Sequence, residues 1–196
     1  MQNKVGRGTS GRLRIIGGEL GGRRLPVPAQ PGLRPTPERV RETLFNWLQP
    51  CIAGSRCLDL FAGSGALGLE ARSRGAAEVM LIEHAEPVAR ALQATVHDWR
   101  LTGVEVRRAD ALRWLAGTPR RFDIVFLDPP FSADLLVPAC ARLARDGWLA
   151  ADAHIYLEAA AKGGLPALPA DWSLVRAGRA GDVAFGLALY EGTRTG

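Results

Sequence analysis

From residue 56 onward the chain alternates short apolar runs with longer stretches in which apolar side chains recur at helical spacing. The runs have strand length and the stretches have helix length. The spacing therefore predicts strand 56–61, helix 66–74, strand 78–83, helix 86–101, strand 104–107, a short helix 110–116, strand 122–127 and helix 134–145. Strands separated by helices imply a parallel sheet covered on both faces. The character then changes: Ala153-His154-Ile155-Tyr156-Leu157-Glu158, Trp172-Ser173-Leu174-Val175-Arg176 and Val183-Ala184-Phe185-Gly186-Leu187-Ala188-Leu189 follow with no long helix after residue 155. The last two are expected to pair as an antiparallel hairpin at the sheet edge. The fold class is α/β, with a mostly parallel seven-stranded sheet, helices on both faces and that antiparallel C-terminal hairpin.

Upstream, Thr36 reads as a helix N-cap and Pro37 as the first helical residue. Val40, Leu44, Trp47 and Leu48 then fall on one face of that helix. Before it, Leu13-Arg14-Ile15-Ile16 and Arg24-Leu25-Pro26-Val27 flank a centre containing Gly17-Gly18 and Gly21-Gly22, the pattern of a small β-hairpin over residues 12–27. The expected organisation is a basic N-terminal extension over 1–33 that carries the hairpin, followed by the main domain over 34–196.

Charge sharpens that division. Residues 1–41 hold nine of the 25 Lys and Arg against Glu19 and Glu38, a balance of +7, while the remainder has 16 basic and 18 acidic residues, or −2. The whole excess of +5 comes from the N-terminal fifth. Such a segment suits contact with nucleic-acid phosphates, and Arg7, Arg12, Arg14, Arg23 and Arg24 are its candidate contacts. Deleting residues 1–24 is expected to leave the sheet intact, because no sheet strand is drawn from them.

Composition excludes several classes. Hydrophobic residues make up 47% and charged ones 23%, a globular balance and not a disordered one. No apolar run approaches the roughly 20 residues that span a bilayer, and the N-terminus lacks an apolar signal region, so no membrane association and a cytoplasmic location are expected. Cys51, Cys57 and Cys140 are odd in number and lack ligand spacing, so they read as reduced thiols and no metal is expected.

The candidate chemistry sits at strand ends. Asp128-Pro129-Pro130-Phe131 closes the apolar run 122–127 with a carboxylate, two backbones of fixed φ and an aromatic face. The lone pair of an exocyclic base amine is delocalised into the ring, so it attacks a sulfonium methyl poorly until it is rehybridised and aimed. Asp128 can accept one N–H, a carbonyl of the proline segment the other, and Phe131 can stack on the ring, a contact contributing roughly 1–3 kcal/mol. The nitrogen turns acidic as it takes the methyl, so orientation and fixed electrostatics suffice and no strong base is needed. Upstream, Asp59-Leu60-Phe61-Ala62-Gly63-Ser64-Gly65 runs from a strand through a glycine turn into a helix. Gly63 and Gly65 let backbone approach a ligand, and the helix N-terminus favours a carboxylate. Asp59 is suited to an ammonium, Glu83 to ribose hydroxyls and Asp110 to an adenine amine, although a cap at the start of the next helix explains Asp110 equally well.

These residues carry a family resemblance. Arg14-Ile15-Ile16-Gly17-Gly18, Gly32-Leu33-Arg34-Pro35-Thr36, Arg39 through Leu48 (RVRETLFNWL), Asp59 through Gly68 (DLFAGSGALG), Asp128 through Phe131 and Gly147-Trp148-Leu149 closely resemble the RsmD family of bacterial 16S ribosomal RNA guanine-N2 methyltransferases. The Asp-Pro-Pro-aromatic motif is shared with DNA amino-methyltransferases and fixes chemistry more than substrate; the 34–48 stretch is more specific. The resemblance implies a Rossmann-like class I methyltransferase fold and S-adenosyl-L-methionine as donor, with S-adenosyl-L-homocysteine as product. It also implies 16S rRNA as acceptor, within the 30S subunit or an assembly intermediate. Carried onto this chain, Asp128, Pro129, Pro130 and Phe131 are catalytic, and Asp59, Gly63, Gly65, Glu83, Asp110 and Thr36 hold the cofactor. Arg34 and Arg39 join the RNA contacts. Two alternatives stay open: methylation of DNA adenine-N6 or cytosine-N4, and a non-catalytic RNA-binding assembly factor.

Overall fold

The structure is a computed structural model and describes residues 13–26, 36–131 and 134–192. In chain order the elements are β1 (Leu13–Arg14), β2 (Arg24–Leu25), α1 (Glu38–Leu48), β3 (Arg56–Asp59), α2 (Ala66–Ser73), β4 (Glu78–Glu83), α3 (Glu86–Asp98), β5 (Val104–Arg108), α4 (Ala111–Trp114), β6 (Phe122–Leu127), α5 (Leu136–Arg145), β7 (Leu149–Ala160), β8 (Trp172–Ala180) and β9 (Val183–Tyr190). The main sheet has seven strands in the order β5-β4-β3-β6-β7-β9-β8, with β9 antiparallel to both of its neighbours and β3 through β7 pairing in parallel. The expected architecture is therefore present, including the C-terminal hairpin.

Near-continuous apolar runs make the inner strands because both sheet faces are covered, and successive side chains enter opposite layers. On β4, Val79 and Leu81 join a cluster that also holds Leu44 and Phe45 of α1, Leu67 and Leu69 of α2 and Leu92 of α3; Met80 and Ile82 join the other. On β6, Ile124 and Phe126 face the first layer while Val125 and Leu127 face the second, against Leu136, Cys140 and Leu143 of α5. Each such fully buried side chain contributes roughly 1.5–3 kcal/mol relative to exposure. After β5 the chain returns to lay β6 beside β3, so the strand order reverses between them. A ligand crevice belongs outside the carboxyl ends of the strands at that point.

The N-terminal hairpin is shorter than its sequence pattern suggests but is tied firmly to the main body. Among the described residues its strands pair Leu13 with Leu25 and Arg14 with Arg24, with Ile15 N–H adding a bond to Arg23 C=O at 2.9 Å. Leu13, Ile15, Leu20 and Leu25 are buried in the same cluster as α1 and α2. Glu70 of α2, fully buried, accepts from Ile16 N–H at 2.7 Å, Gly17 N–H at 3.0 Å and Arg74 Nε at 2.7 Å, with buried Arg41 Nη1 3.6 Å away. Arg41 in turn donates to Arg14 C=O at 3.0 Å. Gly18, at φ +75, lies so close to Ser73 C=O that a Cβ there would collide with it. Residues 13–25 thus pack onto the sheet-bearing body, although, as expected, no strand of the main sheet is drawn from them.

Some boundaries also move. Thr36 is not the N-cap of α1; Pro37 holds that position, with φ −54, ψ 144 and no side-chain cap, and the helix begins at Glu38. The Thr36 hydroxyl is engaged elsewhere, as described below. Helix α3 stops at Asp98 and not at 101, because Arg100 turns left-handed at φ 53. Strand β7 starts at Leu149, earlier than the expected 153, and takes up the extra residues in an irregularity opposite Phe122 and Ile124, where Asp152 has φ 58. Among the described residues no helix is long and apolar enough to cross a membrane.

Candidate active site

The carboxyl ends of β3, β4, β6 and β7 open onto one cleft of about 1220 Å³. Asp59, Gly63, Glu83, Thr36, Asp128, Pro129, Pro130, Phe131 and Arg39 all line it, so most of the residues singled out in the sequence converge. The first turn of α2 is set by Gly65, left-handed at φ 77 and without a side-chain cap. Gly68 matters in a way the sequence reading missed: an added Cβ would collide with Leu81 and crowd Val79, so a glycine there lets α2 settle onto β4.

The loop is held by acids from two strands. Glu83 Oε2 accepts from Gly63 N–H at 2.9 Å and Oε1 from Ala85 N–H at 2.7 Å, which bridges the loop after β3 to the start of α3. Buried Asp59 accepts from Gly68 N–H at 3.0 Å. Burial pushes the Asp59 carboxyl up to about 7; the Gly68 and Phe61 amides oppose the shift, while the charges of Asp128 and Glu83 add to it.

The catalytic candidate is half-buried. Asp128 Oδ2 accepts from the Thr36 hydroxyl at 2.8 Å, which joins the segment preceding α1 to the end of β6. Burial raises the Asp128 carboxyl to about 6 and the Thr36 bond opposes it. Pro129 is buried, Pro130 exposed, and Phe131 is 46% exposed at the cleft, an unusual position for a large apolar side chain.

Several expectations place elsewhere. Asp110 is not among the residues lining the cleft; its Oδ1 accepts from Arg113 N–H at 2.9 Å, so the role the structure shows for it is that of the α4 cap. Arg14, Arg23 and Arg24 are exposed on the hairpin. Arg14 pairs with Glu38 at 3.0 Å, one residue before Arg39, and Arg23 lies 5.3 Å over the Trp99 ring. Arg7, Arg12 and Arg34 lie outside the described residues.

Sequence reasoning missed other residues that line the cleft, above all Glu158, together with Lys162 and the turn at Gly181 and Asp182. Glu158 is 3% exposed and accepts from the Tyr156 hydroxyl at 2.8 Å. Its signal was present: an acid near the end of the strand beside β6, the same logic that selects Asp59 and Glu83. Among the described residues no group of three or more His, Cys, Asp or Glu could hold a metal ion.

Strand order, glycine loop and strand-end acids together define the class I methyltransferase fold. In agreement, an Escherichia coli structure solved as the candidate methyltransferase yhhF superposes with a TM-score of 0.87 at 47% identity, covering 92% of this chain and 99% of that one. The chain belongs to the RsmD family: the family profile described as "Conserved hypothetical protein 95" matches residues 13–189. Two curated relatives, both named "Ribosomal RNA small subunit methyltransferase D", agree. The one from Escherichia coli K12 is 51% identical over 93% of this chain and 92% of its own length, and the one from Haemophilus influenzae 42% identical over 90% and 93%.

Proposed function

We propose that the protein transfers a methyl group from S-adenosyl-L-methionine to the exocyclic N2 of a guanine in 16S rRNA, within the 30S subunit or an assembly intermediate, and releases S-adenosyl-L-homocysteine. The observation that carries this reading is convergence: Asp59 and Glu83, suited to the ammonium and ribose hydroxyls of the donor, open onto the same cleft as Asp128, held by Thr36, and the exposed Phe131 ring, so a donor methyl and an acceptor amine can meet there. The names of the Escherichia coli and Haemophilus influenzae relatives supply the small-subunit RNA.

The donor supplies an electrophilic methyl on a positively charged sulfur; the chain's own residues bind and orient. Asp59 faces the ammonium, directly or through water, and the left-handed glycine turn with the start of α2 receives the carboxylate. Glu83 keeps acceptor capacity for ribose hydroxyls while it braces Gly63 and Ala85. Asp128, held by Thr36, accepts one N–H of the acceptor amine, and a carbonyl of the Pro129-Pro130 segment accepts the other. Phe131 sets the plane of the base. The N–C bond forms as the S–C bond breaks, and the nitrogen then gives up a proton to solvent by way of the Asp128 carboxylate that holds its N–H. Arg39 and Lys162, exposed at the mouth, suit the flanking phosphates. The expected setting is the cytoplasm.

Asp128→Ala tests the assignment. It is expected to bind S-adenosyl-L-methionine within a few-fold of wild type in calorimetry and to lose nearly all methyl transfer. Retention of more than about a tenth of kcat, a barrier increase under roughly 1.4 kcal/mol, removes Asp128 from that role.

A further inference from the structure

Glu158 is a buried cleft carboxyl to which neither cofactor binding nor the Asp128–Phe131 motif gives a role. On adjacent parallel strands Phe126 pairs with Tyr156 and Leu127 with Leu157, so Asp128 and Glu158 occupy the next positions of the same register. Neighbouring strands lie about 4.8 Å apart, and side chains at paired positions leave the same face of the sheet. Both residues line the cleft, and the Thr36 hydroxyl that donates to Asp128 also supports the charge of Glu158. Tyr156, two residues earlier on the same face, donates its hydroxyl to Glu158 Oε2 and fixes the carboxyl's direction. A buried, oriented carboxyl beside the catalytic one, with acceptor capacity left on Oε1, is built to receive a donor.

Resting on the guanine-N2 reading above, we infer that Glu158 is a specificity-determining residue that accepts the ring N1–H of the target guanine while Asp128 accepts an N–H of the neighbouring amino group. Guanine presents ring N–H and amine as adjacent donors. The amines of adenine and cytosine are instead flanked by a ring nitrogen acceptor, which a carboxylate repels. The Asp128–Glu158 pair therefore selects the base as well as aiming its nitrogen. Burial, and then the charge of Asp128, raise the Glu158 carboxyl to about 8, with the Tyr156 and Thr36 bonds opposing, so accepting the ring N–H requires Glu158 to release its own proton to solvent as the base enters. Among the described residues the other titratable or charged ones lining the cleft are Asp59, Glu83, His84, Arg39, Lys162 and Asp182.

The test pairs a protein change with a base change in the full-length chain. RNA carrying 1-deazaguanosine at the mapped acceptor position keeps the amine but lacks the ring N–H. Wild type is expected to lose about tenfold or more in kcat/KM on that substrate, the range for a hydrogen bond to a charged group. The penalty should shrink in Glu158→Gln, which keeps a neutral acceptor, and nearly vanish in Glu158→Ala. S-adenosyl-L-methionine affinity should stay within about threefold in both, a split that general structural damage does not produce. Should the alanine variant fail to fold, the glutamine variant and Tyr156→Phe carry the same comparison. An equal 1-deazaguanosine penalty in wild type and variants overturns the role of Glu158 while leaving guanine methylation standing; methylation at another base overturns the underlying reading instead.

Discussion

At the scale of single residues, the cleft concentrates carboxyls whose burial disfavours their charge. Asp59 shows the consequence for stability. Its folded-state value, about 7, lies above the ordinary 3.8, so the folded protein binds its proton more tightly than the unfolded chain does. The stability this contributes is fully present below about 3.8 and is lost as pH rises toward about 7. Thermal scans of the ligand-free protein are expected to show that decline, and Asp59→Asn, which keeps an acceptor for Gly68 N–H, should flatten it. An Asp59→Asn profile parallel to wild type would mean that Asp59 does not titrate in this window. Asp59, Gly63, Glu83 and Asp128 were legible in the sequence because strand ends of a doubly wound sheet converge. The Asp110 cap was legible as one of two readings. Glu158 and the Thr36–Asp128 bond were not, since which strand lies beside β6, and which loop crosses its end, are tertiary facts.

The elements themselves were largely legible, because buried strands and amphipathic helices differ in both length and period. What the pattern could not supply was the attachment of the N-terminal hairpin. Its glycines and arginines read as a separate arm, whereas Ile15 and Leu20 are buried in the core cluster and the Ile16 and Gly17 amides bond Glu70 of α2. A lone glutamate inside a helix gives no sign that a distant turn will cap it. Glu70→Ala leaves Arg41 buried without its partner and two amides unsatisfied, and removing one member of such a buried pair costs about 3–5 kcal/mol. Urea unfolding should show a lower midpoint of corresponding size. A loss under about 1 kcal/mol would show that the hairpin is held by its apolar contacts alone.

For the whole molecule, ionisable groups are segregated: carboxyls gather in the cleft, while the N-terminal fifth carries the basic excess that the proposed function assigns to RNA. Truncation should therefore depend on where it stops. Removing residues 1–12, with Lys4, Arg7 and Arg12, spares the hairpin and is expected to preserve folding and cofactor binding. It should weaken RNA binding and make log affinity against log salt shallower by about 0.7–0.9 per lost phosphate contact. Removal through residue 24 should also unfold the region around Glu70; a stably folded 25–196 protein would contradict a structural role for the bonds from Ile16 and Gly17 to Glu70. The most direct test of the central claim is mass mapping. Purified protein is incubated with 30S particles from a strain lacking the enzyme and with methyl-labelled S-adenosyl-L-methionine, and the digested 16S RNA is read nucleoside by nucleoside. Label in N2-methylguanosine at one position, absent with Asp128→Ala, is the expected result. Label on adenine or cytosine, or no transfer despite cofactor binding, would contradict it.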